Sequence, residues 1–183
     1  VRANAVDVWL NRGDDSLAAR AIIQRTPFHA GFTNHVRFAD LNGSATPDLV
    51  WADASKYRFM DLAGGERPGL LTRYDNGMGK VVDVEYRPST AFYLDDRKLG
   101  YEWADRPPFP TPVVYQVTTN DSLGSPAIKV RYHYRDGYYD GVEHEFRGFR
   151  YVETWSLGDA SSPTSVTASY FRKGDECLDV GDQ

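Results

Sequence analysis

Apolar and polar residues alternate with period two along much of this chain, and a period of two predicts strands with one face turned to a core. Val6-Asp7-Val8-Trp9-Leu10 alternates, then Asn11 to Asp15 reads as a turn. Lys80 to Tyr86 puts Val82, Val84 and Tyr86 on one face and Val81, Asp83 and Glu85 on the other. Val113 to Thr118, Ala127 to Tyr134, Phe149 to Trp155 and Ser165 to Phe171 repeat the pattern, and Thr90 to Leu94 gives a weaker version of it. Ser16 to Gln24 suits a short helix or a strand, and its neighbours favour the strand. Turns are predicted at Asp75 to Gly79 and at Arg135-Asp136-Gly137, where Gly and Asp punctuate the runs. The segment from Arg106 to Pro112 carries four prolines, which donate no backbone hydrogen bond, so it reads as an extended connector. No long helix is predicted. The expected class is all-β, built of many short strands.

A repeat lies within the first half. Arg37-Phe38-Ala39-Asp40-Leu41-Asn42-Gly43-Ser44-Ala45-Thr46-Pro47-Asp48-Leu49 is matched in register by Arg58-Phe59-Met60-Asp61-Leu62-Ala63-Gly64-Gly65-Glu66-Arg67-Pro68-Gly69-Leu70. Arg, Phe, Asp, Leu, Gly, Pro and Leu recur at the same offsets. Each copy reads as strand, tight loop and strand, with Phe and its apolar neighbours on one face. Trp51 to Ser55 is expected to join the copies as a turn.

Composition narrows the partners. The 183 residues suffice for one large or two small domains, and 41% hydrophobic residues supply a core. Aromatics reach 14%, which favours pleated surfaces. A net charge of −5 argues against nucleic acid and against an anionic membrane surface. No apolar run is long enough to span a membrane as a helix, so direct membrane insertion is not expected. The single cysteine, Cys177, allows no internal disulfide. The chain opens in mid-strand pattern, which suggests a piece of a longer protein.

Two resemblances follow from particular residues. The repeat resembles the FG-GAP (VCBS-type) repeat of β-propellers. Leu71 to Gly79, Tyr86 to Thr90, Pro108 to Val114 and above all Tyr134-Arg135-Asp136-Gly137-Tyr138-Tyr139-Asp140-Gly141-Val142-Glu143-His144-Glu145-Phe146-Arg147-Gly148-Phe149 resemble the B component of bacterial insecticidal toxin complexes and the related virulence plasmid B protein. The resemblance implies propeller blades over residues 1–72 and, over 73–183, the start of a hollow shell of RHS-like (YD-repeat) β-structure that encloses a toxic cargo. It implies a secreted protein whose partners are the A and C components of the complex, and a structural rather than catalytic role.

Candidate chemistry is sparse. Asp40, Asn42, Ser44, Thr46 and Asp48 stand at alternate positions of one loop, a spacing that wraps oxygen ligands around calcium. Ser44 replaces a third carboxylate, and Ala45 stands where glycine would ease the turn. The second copy keeps Asp61 but lacks the other ligands, which favours a turn-forming role for the Asp. An FG-GAP-like module binding a ligand or receptor, with or without calcium, is the alternative function. Glu143-His144-Glu145 has the Glu-x-Glu form of ADP-ribosyltransferases, with Arg73 and Ser89-Thr90 upstream, but it falls inside the run that resembles the shell. Charged residues there are expected to pair with Arg147 and Arg150 across the sheet. His29, His35, His133 and His144 show no metal-ligand spacing. Tyr132, Tyr134, Tyr138 and Tyr139 read as packing between strands. Neither a phosphate-binding Gly-rich loop nor a nucleophile elbow is present, so no cofactor and no catalytic residue is expected.

Overall fold

Where alternation is clean the chain forms strands, and the one helix among the described residues lies where alternation is weak. The computed structural model describes residues 4–27, 36–52, 56–65, 67–121, 123–159 and 161–172. His29, His35, Cys177 and Asp53 to Ser55 lie outside them. The chain divides into two compact units, residues 1–41 with 47–64, and residues 42–46 with 65–183. The class is all-β, with every strand pairing antiparallel.

In the first unit, β1 (Ala5–Val8) pairs with β2 (Ala21–Gln24). The second half of the ambiguous Ser16–Gln24 run is thus a strand. A three-stranded sheet follows, β3 (Val36–Ala39), β4 (Asp48–Ala52) and β5 (Tyr57–Met60), with β4 central. Leu49, Val50 and Trp51 are all buried, so β4 is covered on both faces. Leu49 and Trp51 join Val6 in a core, with Val8, Ile23, Val36 and Met60 packed around it. Three expectations fail here. Trp51 and Ala52 continue β4 instead of turning. The second copy shows no strand after its loop among the described residues, where Gly64, Gly65 and Gly69 all take positive φ. The repeat phenylalanines do not face a core: Phe38, opposite Leu49, and Phe59, opposite Val50, are 69% and 50% exposed.

The second unit is a six-stranded meander, β6 (Arg73–Asp75), β7 (Val81–Pro88), β8 (Pro112–Asn120), β9 (Ile128–Asp140), β10 (Glu145–Leu157) and β11 (Ser165–Tyr170). The expected turn at Arg135 to Gly137 is absent. β9 runs straight through it, and the chain reverses at residues 141–144. Asp136 accommodates this with φ of +54° while its carboxylate accepts the Ala104 N–H at 2.7 Å. Gly137 is needed for a different reason: a Cβ there would stand 3.0 Å from the Phe149 ring.

The weak strand expected at Thr90 to Leu94 is instead α1 (Ser89–Lys98). Its buried positions are Ser89, Phe92 and Asp96, which share one helical face, yet only one of the three is apolar. The hydrophobic pattern therefore carries no helical period. The helix ends in a Schellman motif: Tyr101 N–H donates to the Asp96 carbonyl at 2.9 Å and Gly100 N–H to Arg97 at 3.1 Å, with Gly100 at φ +87°.

The helix fills a fork in the sheet. β8 pairs with β9 only from Gln116 to Thr119, against Ile128 to Arg131. Beyond that the strands part, and Phe92 enters the gap. Its ring lies 5.4 Å from His133, 5.5 Å from Tyr134 and 6.2 Å from Tyr115. Tyr134 Oη donates to the Val114 carbonyl at 2.9 Å, satisfying an acceptor that the lost pairing leaves free. Ser89 clamps the helix start, donating its N–H to the Thr111 carbonyl at 2.8 Å and accepting the Thr111 N–H on Oγ at 3.0 Å. Truncating a fully buried aromatic costs about 3–5 kcal/mol. Phe92→Ala should lose stability on that scale in urea unfolding followed by tryptophan fluorescence. A loss below about 1 kcal/mol would mean that the fork collapses without its wedge.

Candidate functional site: a buried carboxylate beneath the sheet

A half-buried strand that presents Arg131, His133 and Arg135 at alternate positions needs an acid from elsewhere, because desolvated cations are costly unless paired. Asp96, wholly buried on α1, supplies it. Its Oδ1 lies 2.9 Å from His133 Nε2. Its Oδ2 accepts from Arg135 Nε at 3.0 Å and from Trp103 Nε1 at 2.8 Å. Helix, connector and strand thus meet at one carboxylate.

The surroundings are aromatic. The Arg135 guanidinium sits 4.6 Å from the Tyr101 ring and 5.2 Å from the Tyr151 ring. Burial opposes its charge, but Asp96, with Glu153 behind it, holds its pKa above the ordinary arginine value. Glu153 is pushed up by burial, yet hydrogen bonds from Tyr151 and Trp155 and the charge of Arg135 leave it below the ordinary carboxylate range. At the helix end the Arg87 hydrogen bond, and then Lys98, lower Asp95. Burial pushes Tyr134 up to about 12, and the bond to Glu153 does the same for Tyr151.

The residues singled out from sequence are dispersed. Asp48, the first residue of β4, is wholly buried; its Oδ2 accepts the Leu41 N–H at 2.9 Å and its Oδ1 has no partner. Asp40 is half-buried. Asn42 Oδ1 accepts the Ser44 N–H at 2.9 Å, and the Ser44 and Thr46 hydroxyls share a bond of 2.7 Å. Asp61 accepts the Ala63 and Gly64 N–H groups, the turn-forming role expected of it. No group of three or more His, Cys, Asp or Glu converges as a metal site among the described residues.

Glu143 lies in the β9–β10 turn and Glu145 opens β10, both exposed. Arg147 pairs with Asp140 at 3.0 Å, not with either glutamate. Arg73 pairs with Asp83 at 3.0 Å, and Thr90 Oγ1 donates to the Gly43 carbonyl. The tyrosines do pack: Tyr132 stacks on Tyr134, and Tyr139 meets Phe109 edge-on. Sequence reading missed Asp96, Trp103, His133 and Arg135. The signal was the basic stripe on β9, registered against a single β10 carboxylate, Glu153 opposite His133.

Two outcomes follow. Asp96→Asn leaves half-buried Arg135 with only Glu153, 3.9 Å away, as counter-charge, so the cost should approach about 3–5 kcal/mol, that of a broken buried pair, without exceeding it; thermal unfolding should show it, and an unchanged midpoint would remove Asp96 from its central place. Between pH 10 and 12 the unfolded chain releases tyrosine protons that the folded chain keeps on Tyr134 and Tyr151, so stability falls as pH rises through that window. Tyrosinate absorbance should show two groups titrating near 12 in the native protein; their ionisation near 10 without unfolding would contradict the packing.

Known proteins can now be set beside this geometry. The family described as "Insecticide toxin TcdB middle/N-terminal region" matches residues 14–176. No curated protein sequence matches the chain. Among solved structures, the Tc holotoxin pore of Photorhabdus luminescens aligns with TM-score 0.79 and 26% identity, over 98% of this chain. The crystal structure of TcdB2-TccC3 aligns with TM-score 0.74 and 26% identity over 98%, and that of TcdB2-TccC3-TEV with 0.73 and 27% over 95%. In each case this chain spans 9% of the matched chain. With the family match running through both units, the chain belongs to the TcdB middle/N-terminal family of insecticidal toxin proteins.

Proposed function

We propose that the chain is a non-catalytic building segment of a secreted toxin-complex B component. Residues 1–72 contribute propeller blades that lead toward the pore-forming A component. Residues 73–183 begin the shell that closes, with the C component, around a toxic cargo. The observation that carries this reading is the antiparallel meander with two 13-residue strands, stiffened by a helix at a buried carboxylate. A wall needs closed hydrogen-bond ladders and rigid packing, and it needs no reactive group. The side chains that an ADP-ribosyltransferase would use are engaged in other bonds: Arg73 with Asp83, Thr90 with Gly43 and buried Ser89 with Thr111.

The test is protection of cargo. In the assembled complex, a protease added outside should spare the enclosed enzyme, and Asp96→Asn or Phe92→Ala should expose it faster at a temperature where the rest of the complex stays assembled. Cargo that is cleaved equally fast with and without the substitutions would sink the reading. Release of nicotinamide from NAD by the chain alone would overturn the non-catalytic part.

A second reading concerns calcium. Asp48 keeps one buried carboxylate oxygen without a partner, and a cation would satisfy it. Sequence spacing offers Asp40, Asn42, Ser44 and Thr46 as further ligands. Calorimetry with millimolar calcium should give saturable heat that Asp48→Asn abolishes; a flat titration removes the metal.

A further inference from the structure

Asparagine is followed by glycine twice in the chain, at Asn42-Gly43 and at Asn76-Gly77. The side-chain amide of asparagine is an electrophile, and the backbone nitrogen of the next residue is its nearest nucleophile. Glycine leaves that nitrogen unscreened, because it has no Cβ. At Asn76 the fold adds the other groups that an acyl transfer needs.

Asn76 lies in the turn that joins β6 to β7. Its Oδ1 accepts the Met78 N–H at 2.9 Å and the Lys80 N–H at 2.9 Å. Both contacts are backbone donors, so the side-chain oxygen, not the nitrogen, must face them. Two N–H groups aimed at one carbonyl oxygen form the donor set of an oxyanion hole: they polarise the carbon and favour negative charge on the oxygen. On the other side, Gly77 N–H donates to the Asp75 carboxylate at 2.8 Å. A carboxylate bonded to the proton of the nucleophile stands where a general base acts. Gly77 is exposed, has φ of +68° and has open space beside its Cα. The Asn76 N–H donates to the Lys80 carbonyl at 3.1 Å, which closes the turn and holds these groups together. Asn42 is placed differently. Gly43 packs on Thr90, whose Oγ1 stands 3.0 Å from where a Cβ would be and donates to the Gly43 carbonyl at 2.6 Å. Ring closure there has to displace Thr90.

We infer that the β6–β7 turn promotes conversion of Asn76 to aspartate and isoaspartate through a cyclic imide. Gly77 N gives its proton to Asp75 and bonds to Asn76 Cγ. The Cγ–Nδ2 bond breaks, and Nδ2 leaves with that proton as ammonia. Water then opens the imide at either carbonyl; no oxidant and no cofactor is consumed. The product sets a new negative charge beside Asp75, and the isoaspartate form adds a methylene to the backbone of the turn. β6 is an edge strand, paired only from Arg73 to Asp75 against Val81 to Asp83, so the lengthened turn loosens its register. The turn thus carries a slow, irreversible chemical mark at one edge of the sheet. This inference is independent of the assembly reading, since it concerns only the groups around one amide.

Peptide mapping tests it. The native chain and a synthetic peptide of residues 71–83 are held at the same mildly alkaline pH in water enriched in heavy oxygen, which marks conversion that precedes digestion. The tryptic fragment Tyr74–Lys80 is then read by mass spectrometry. Asn76 should convert several-fold faster in the native chain than in the peptide, and faster than Asn42 in the same digest. Asp75→Asn keeps an acceptor for the Gly77 N–H but removes the base, and in a variant of unchanged thermal unfolding it should bring conversion down toward the peptide rate. Conversion in the native chain no faster than in the peptide overturns the proposal. So does a folded Asp75→Asn protein that converts at the native rate, or an Asn42 that converts before Asn76.

Discussion

One carboxylate holds the second unit in its shape. Asp96 cannot leave its cations without burying unpaired charge, and Arg135, His133 and Trp103 come from two different parts of the chain. That single point ties the end of α1 to β9 and to the connector that returns to β8. The consequences spread outward. Phe92, one turn back on the same face, is held in the fork, and Ser89, at the helix start, is held against Thr111. β8 and β9 can therefore part without leaving an empty wedge. A buried ion pair is a poor source of net stability, but it is strict about geometry. Here that strictness fixes where a helix sits on a sheet.

Such a device suits the shell wall proposed above. A continuous antiparallel ladder is flexible across its width, and a fork would be its weakest place. Filling the fork with a helix whose contacts are partly aromatic and partly ionic gives stiffness without adding a second sheet. The cation–aromatic pairs extend the same logic: Arg87 lies over Phe92 and Tyr115, and Arg135 lies between Tyr101 and Tyr151. Each places a charge where a ring offers partial compensation and a carboxylate completes it.

Much of this was legible in the sequence. Clean alternation located β1, β7, β8, β9, β10 and β11, and Asp75 to Gly79 turned as its glycines suggested. The helix was hidden because two of its three buried residues, Ser89 and Asp96, are polar, and because Thr90, Phe92 and Tyr93 are as much at home in a strand. Its end was readable in Leu99-Gly100-Tyr101, where a glycine stands at the helix-stopping position. Asp136-Gly137 misled because both residues favour turns; their conformation is instead absorbed within β9 by a bond to Ala104 and by close approach to Phe149. The repeat misled about burial. Its phenylalanines are exposed, and the core of the first unit is carried by Leu49 and Trp51 of the strand between them. The carboxylate hub leaves little local signature, since two of its three partners lie 37 and 39 residues away and only Trp103 is near in sequence.

Hydrogen exchange resolved along the chain, comparing the native protein with Asp96→Asn, tests the central claim most directly. If the carboxylate holds the fork closed, protection should fall first in α1 and in the β8 and β9 amides beside it, around Val114 and Tyr134, while the β10–β11 ladder keeps its protection. Loss spread evenly over the sheet, or protection of α1 that survives the substitution, would contradict the account.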